Sequence, residues 1–156
     1  MKVSKIALVV ALGLSSLAAM AGEIQNTTVY GYGADNQSNG SYSYAVQGIG
    51  VATGTGKIYN SFIDGGYARN RADGYGSYAS QEIGAASYGG VLNNVYVNGY
   101  GASNRATGSY SVATQEIGKA IGNGSLIQNS TVYAPGATNS ATGYGAWAQQ
   151  KVGVAQ

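Results

Sequence analysis

Cysteine and histidine are absent from this 156-residue chain, and proline, phenylalanine and tryptophan each occur once. Without cysteine there is no disulfide framework, the usual staple of a small exported domain, and no thiol nucleophile. Without histidine the commonest general base and zinc ligand is missing as well. Large aliphatic residues are too few after residue 22 to fill a conventional globular core. Charge is equally sparse. The formal net charge is +2, but Lys2 and Lys5 belong to a targeting segment, and the remainder balances six basic residues against six acidic ones. A nucleic-acid partner is therefore not expected, because phosphate binding depends on an excess of Lys and Arg. Near-zero charge also removes the self-repulsion that keeps chains apart.

Lys2 and Lys5 begin a positive segment, an apolar run extends from Ile6 to Ala21, and Ala19-Met20-Ala21 closes it with a small-x-small pattern. The run is shorter than the ~20 residues a spanning helix needs. It predicts an export signal over 1–21, cleaved after Ala21, and a secreted bacterial protein comprising one repeat domain over 22–156.

What the chain has in abundance is glycine, 26 residues, and tyrosine, 14 residues. Their order is periodic. Ala45-Val46-Gln47-Gly48-Ile49-Gly50 returns as Ala79-Ser80-Gln81-Glu82-Ile83-Gly84, as Ala113-Thr114-Gln115-Glu116-Ile117-Gly118, and as Ala148-Gln149-Gln150-Lys151-Val152-Gly153. The steps between the leading alanines are 34, 34 and 35 residues. The Asn26/60/94/129 and Asn36/70/104/139 columns keep the same step, and the single extra residue falls between Ala120 and Asn129. Four units result, approximately 24–57, 58–91, 92–126 and 127–156.

Within a unit the spacing is two: Ala68-x-Asn70-x-Ala72-x-Gly74, then Ala79-x-Gln81-x-Ile83-x-Ala85, with a third apolar point near Ile58, Phe62 and Ile63. Alternation between turn residues predicts strands, and a helical repeat would need long apolar side chains at helical spacing. The expected fold is all-β: a β-solenoid of four coils, two or three strands per coil, with equivalent residues stacked about 4.8 Å apart. Small residues let two sheets approach closely. The Ile49, Ile83, Ile117 and Val152 column supplies apolar contacts. Asn36, Asn70, Asn104 and Asn139, and Gln47, Gln81, Gln115 and Gln150, are the expected amide ladders. Turn formers or solvated strand positions are the alternative reading of these amides. Tyr42/Gly76/Tyr110/Gly145 alternates with Ser41/Tyr75/Ser109/Tyr144, so large and small residues can pack in successive coils.

No catalytic, cofactor or metal site is expected. Glu82 and Glu116 read as solvated strand residues. Gly54-Thr55-Gly56-Lys57 lacks the first glycine and the final hydroxyl residue of a phosphate loop. The chain shows no cap at either end of its repeats, which predicts head-to-tail addition, since an uncovered strand edge is a template for another chain.

Asn70-Arg71-Ala72, Asn104-Arg105-Ala106 and Asn139-Ser140-Ala141, each followed by Ala-x-Gln and a glycine, resemble the Asn-x-Ala and Gln features of curlin repeats. The Ala/Gly/Gln-rich repeats also resemble the Fap fibre proteins of pseudomonads. The resemblance implies a bacterial functional amyloid: a subunit of an extracellular biofilm fibre, partnered by itself, by other fibre subunits and by an outer-membrane export system. A second reading is an adhesin binding a glycan or surface through Tyr/Asn/Ser-rich faces. An ice-binding solenoid would need rows of Thr-x-Thr, and Thr53/Thr55 stands in one unit only.

Overall fold

The computed structural model describes residues 21–156; the expected export signal lies outside them except for Ala21. Sixteen strands are formed, and no helix occurs among the described residues. The first coil contains β1 (Ala21–Gln25), β2 (Thr28–Tyr30), β3 (Asp35–Asn39) and β4 (Tyr44–Ile49). The second contains β5 (Ala52–Tyr59), β6 (Phe62–Asp64), β7 (Arg69–Asp73) and β8 (Tyr78–Ala86). The third contains β9 (Val91–Asn93), β10 (Tyr96–Asn98), β11 (Ser103–Thr107) and β12 (Val112–Ala120). The fourth contains β13 (Leu126–Gln128), β14 (Thr131–Tyr133), β15 (Thr138–Thr142) and β16 (Trp147–Ala155).

Every pairing is parallel, and almost every residue pairs with its own copy in the next unit. Asn70 lies beside Asn104 and Asn104 beside Asn139; Ile83 lies beside Ile117 and Ile117 beside Val152. The molecule is a β-solenoid of four turns. Its hydrogen-bonded layers are β3-β7-β11-β15, β2-β6-β10-β14, and an eight-stranded sheet in which the two remaining strand families join where Ala52 meets Ala86. The pairing offset is 34 at Ala86–Ala120 and 35 at Val91–Leu126. The extra residue therefore sits in the turn between Ala120 and Leu126, where an insertion disturbs no ladder.

Each coil has four strands rather than two or three. The third apolar run is cut in two at Asn26, Asn60, Asn94 and Asn129, whose φ values are +51°, +46°, +54° and +50°. Asparagine enters this left-handed region more easily than other side-chain-bearing residues, so one amide per coil turns the chain without a glycine.

Two apolar compartments lie inside. The wide one holds Ile49, Ile63, Ile83, Leu92, Val97 and Ile117 among others. Burying each such side chain contributes roughly 1.5–3 kcal/mol. The narrow one, between the β7 and β8 strand families, is filled by Ala45, Ala72, Ala79, Ala106 and Ala113. Only a methyl group fits there, which accounts for the scarcity of long aliphatics. Backbones approach closely at the turns too. Gly74 and Gly108 both have φ +127°, and a Cβ on either would stand 2.1 Å from the carbonyl oxygen of Gly40 or Gly74 in the coil below.

Candidate functional site

The Asn column forms a hydrogen-bonded ladder. Asn36, Asn70 and Asn104 each donate from Nδ2 to Oδ1 of the next asparagine at 2.8 Å. The same nitrogens reach across the narrow compartment. Asn104 donates to the Ala79 carbonyl at 3.1 Å and the Thr114 carbonyl at 2.8 Å; Asn70 donates likewise to Ala45 and Ser80. The ladder thus fastens two sheets together while running along the axis. Asn70 and Asn104 are buried, and these bonds satisfy polar groups that would be expensive to leave bare.

The Gln column runs the other way. Gln81, Gln115 and Gln150 donate from Nε2 to Oε1 of the preceding glutamine at 2.6, 2.7 and 2.6 Å. Each second bond goes to a main-chain carbonyl: Ala68 from Gln81, Ala102 from Gln115, Ala137 from Gln150, and Ala34 from Gln47 in the first coil. Ile49, Ile83 and Ile117 stack in the wide compartment, and Val152 completes their column. A further polar column was not singled out in the sequence. Ser43, Ser77 and Ser111 are buried. Ser77 and Ser111 donate to the carbonyls of Gly74 and Gly108 at 2.6 Å, closing the turns beneath them. These serines keep the 34-residue spacing, but in so Ser-rich a chain that spacing does not distinguish them.

Tyrosines line the outer turns in a zigzag. Tyr42, Tyr75, Tyr110 and Tyr144 meet edge to face with centroids 5.5, 5.7 and 5.6 Å apart, the favoured aromatic geometry. They come from two adjoining columns in alternate coils. The intervening position is glycine because a Cβ at Gly76 would lie 2.8 Å from the Tyr42 ring, and one at Gly145 2.9 Å from the Tyr110 ring.

Glu82 and Glu116 differ from the solvated residues expected. Gly84 and Gly118, at φ +63° and +64°, bend their strands and bring the residues after them back against the outer face. Lys119 is buried there and paired with the Glu116 carboxylate. Burial holds the Glu82 carboxyl above its ordinary 4.5; the Glu116 carboxylate adds to this, and Lys119 opposes it. A raised native pKa means that the folded chain binds more protons than the unfolded chain between the two values. Stability should then increase as pH falls from neutral toward 4.5, until other carboxylates titrate. Glu82→Gln is expected to raise the thermal midpoint at neutral pH and to flatten this slope. A midpoint that falls in the variant, or an unchanged slope, would remove Glu82 from the account. Gly54–Lys57 lies within β5, with no helix after it, so it does not form a phosphate loop. Among the described residues no three metal-ligating side chains converge.

The ends of the stack carry the remaining polar capacity. Among the described residues, Gln150 Oε1 in the fourth coil accepts no hydrogen bond, and Asn139 Nδ2 reaches only the carbonyls of Ala113 and Gln149. In the first coil, again among the described residues, Asn36 Oδ1 has no donor, and Gln47 Nε2 reaches only Ala34. Ile83 and Ile117 are fully enclosed, whereas Val152 at the head of their column is 43% exposed. No family model, no curated protein and no solved structure matches this chain.

Proposed function

We propose that this chain is a non-catalytic structural subunit of an extracellular fibre, adding end to end so that the solenoid continues from molecule to molecule. The observation that carries this reading is the complementarity of the two end coils. Stacked on the fourth coil of one copy, the first coil of the next would bring Asn36 Oδ1 to Asn139 Nδ2 and Gln47 Nε2 to Gln150 Oε1. Both ladders would run on in their own directions, and Val152 would be covered by Ile49.

The tyrosine zigzag supports the same junction. Four coils is an even number, so the alternation would cross the boundary in phase: Tyr42 of the added copy over Gly145, and Ser41 over Tyr144. An odd number of coils would set tyrosine against tyrosine. The reading takes the export signal as removed, and it brings with it secretion, an outer-membrane export system and other fibre subunits of a biofilm matrix as partners.

Residues 22–156, incubated at micromolar concentration, should form unbranched filaments with a meridional reflection at about 4.8 Å, the strand spacing along the axis. A folded protein that stays monomeric under these conditions would sink the proposal.

A further inference from the structure

Asparagine followed by glycine occurs three times, at Asn39-Gly40, Asn98-Gly99 and Asn123-Gly124. This dipeptide readily loses its side-chain amide, because glycine leaves the following main-chain nitrogen unhindered for attack on the carboxamide carbon. The fold treats the three pairs unequally. Asn39 ends β3 and Asn98 ends β10. The nitrogen that each would use is engaged along the axis: Gly40 N–H donates to the Asp73 carbonyl at 2.9 Å, and Gly99 N–H to the Tyr133 carbonyl at 2.8 Å. The Asn98 carboxamide is held at both atoms as well, donating to Asp64 Oδ1 at 2.9 Å and accepting from the Tyr100 N–H at 3.1 Å. Asn123 lies between β12 and β13, in the turn that carries the extra residue. That turn is closed by the bond from Ser125 N–H to the Gly122 carbonyl at 2.9 Å. Asn123 and Gly124 are both exposed, and among the described residues neither the Asn123 carboxamide nor the Gly124 N–H has a partner. Nothing stands within 4 Å of the place a Cβ would take at Gly124, so the reacting atoms have room to meet.

We propose that Asn123 is a site of spontaneous deamidation, the one Asn-Gly pair that the fold leaves reactive. The Gly124 nitrogen loses its proton and attacks Asn123 Cγ. The N–Cγ bond forms, the Cγ–Nδ2 bond breaks, and Nδ2 takes up a proton and leaves as ammonia. Water then opens the cyclic imide. Cleavage at Cγ gives aspartate, and cleavage at the main-chain carbonyl gives isoaspartate. At Gly40 and Gly99 the same attack would first have to break a bond between coils and turn the strand end away from its neighbour. That local opening adds to the chemical barrier. At Asn123 the product is tolerated, because an isoaspartate adds a main-chain carbon in a surface turn that no strand pairing includes. The change does alter charge. Residues 22–156 balance six basic side chains against six acidic ones, so the new carboxylate leaves each molecule negative and restores some self-repulsion.

The test follows the full chain in warm neutral buffer beside the same chain unfolded in urea, sampled until the unfolded chain has reacted at all three pairs. Lys57, Arg105 and Lys119 separate the pairs, so each falls on its own tryptic peptide. Mass spectrometry then reads each conversion of amide to acid, and isoelectric focusing reads the added charge. In urea the three pairs should react at similar rates. In the folded chain Asn123 should react at least about tenfold faster than Asn39 or Asn98, a barrier difference of ~1.4 kcal/mol. Asn123→Ser should remove the acidic species and leave the thermal midpoint unchanged. Asn39 or Asn98 keeping pace with Asn123 in the folded chain, or Asn123 staying intact there, would overturn the assignment. The reaction is read on single chains, so its outcome is independent of the fibre reading.

Discussion

Replacing Gly40 by alanine should abolish filament growth while leaving the monomer folded. The internal coils show why. A Cβ at Gly74 would lie 2.1 Å from the Gly40 carbonyl oxygen, one at Gly108 2.1 Å from that of Gly74, and one at Gly143 2.3 Å from that of Gly108. Both partners in each contact belong to the main chain, so no rotamer change relieves them. At Gly40 itself nothing stands within 4 Å. In an end-to-end stack Gly40 would take the place of the next glycine in this column, over the Gly143 carbonyl of the neighbouring copy. Alanine there costs the monomer only the strain of φ +124°, on the order of 1–3 kcal/mol, but it closes the junction.

Gly33→Ala is the matched control. Gly33 also has positive φ and nothing within 4 Å, yet its column already accommodates Tyr67, and a Cβ at Gly136 meets only the backbone of Gly101 at 3.9 Å. Strain without a junction clash should leave growth intact. Gly40→Ala chains, added in small amounts to the parent protein, should join through their fourth coil and terminate filaments. Thioflavin fluorescence and electron microscopy of the three proteins decide the matter. Equal growth of parent and Gly40→Ala would mean that the junction does not continue the coil.

Asn104→Asp is expected to be the most damaging isosteric change, costing about 3–5 kcal/mol at neutral pH, as for a buried charge deprived of its partner. The side chain keeps its volume, so no cavity contributes. What changes is the sign of one hydrogen-bonding group. Asn104 Nδ2 faces three oxygens, those of Ala79, Thr114 and Asn139, at 3.1, 2.8 and 2.8 Å. An ionised carboxylate would oppose all three, keeping only the bond donated by Asn70. Desolvation would raise the native pKa of the new carboxyl, so the loss should shrink on acidification as the group takes up a proton. Asn139→Asp, half-exposed in the last coil, should cost about 1 kcal/mol, the centre of ordinary substitutions. Urea midpoints followed by circular dichroism at pH values near 7 and 4 test both claims. If Asn104→Asp proves no worse than Asn139→Asp, the buried ladder is not what joins the two sheets.

The Asn36/70/104/139 and Gln47/81/115/150 columns were visible as columns, but not the direction in which each donates. Direction depends on which main-chain carbonyl lies within reach across the narrow compartment, and no periodicity records that. Glu82 and Glu116 fitted the outward phase of their strands; the bend at Gly84 and Gly118 is what turned that outer face into a sheltered corner. The corner at Asn26, Asn60, Asn94 and Asn129 was not legible because asparagine is common in this chain and only the sign of φ turns these four into a bend.

By itself the sequence determined much of what acts along the axis: four units, their period, the place of the extra residue, the stacking of equivalent residues and the alternation of tyrosine with glycine. In an in-register parallel stack the neighbour of each residue is its own copy, so comparing units in the sequence is comparing contacts in space. Only the tertiary structure decided what happens around a coil. That included four strands rather than two or three, the opposed ladders and the buried Lys119. Those features depend on the sign of φ at a few corner residues and on distances between different strand families, and a pattern of period two is the same on either side of a bend.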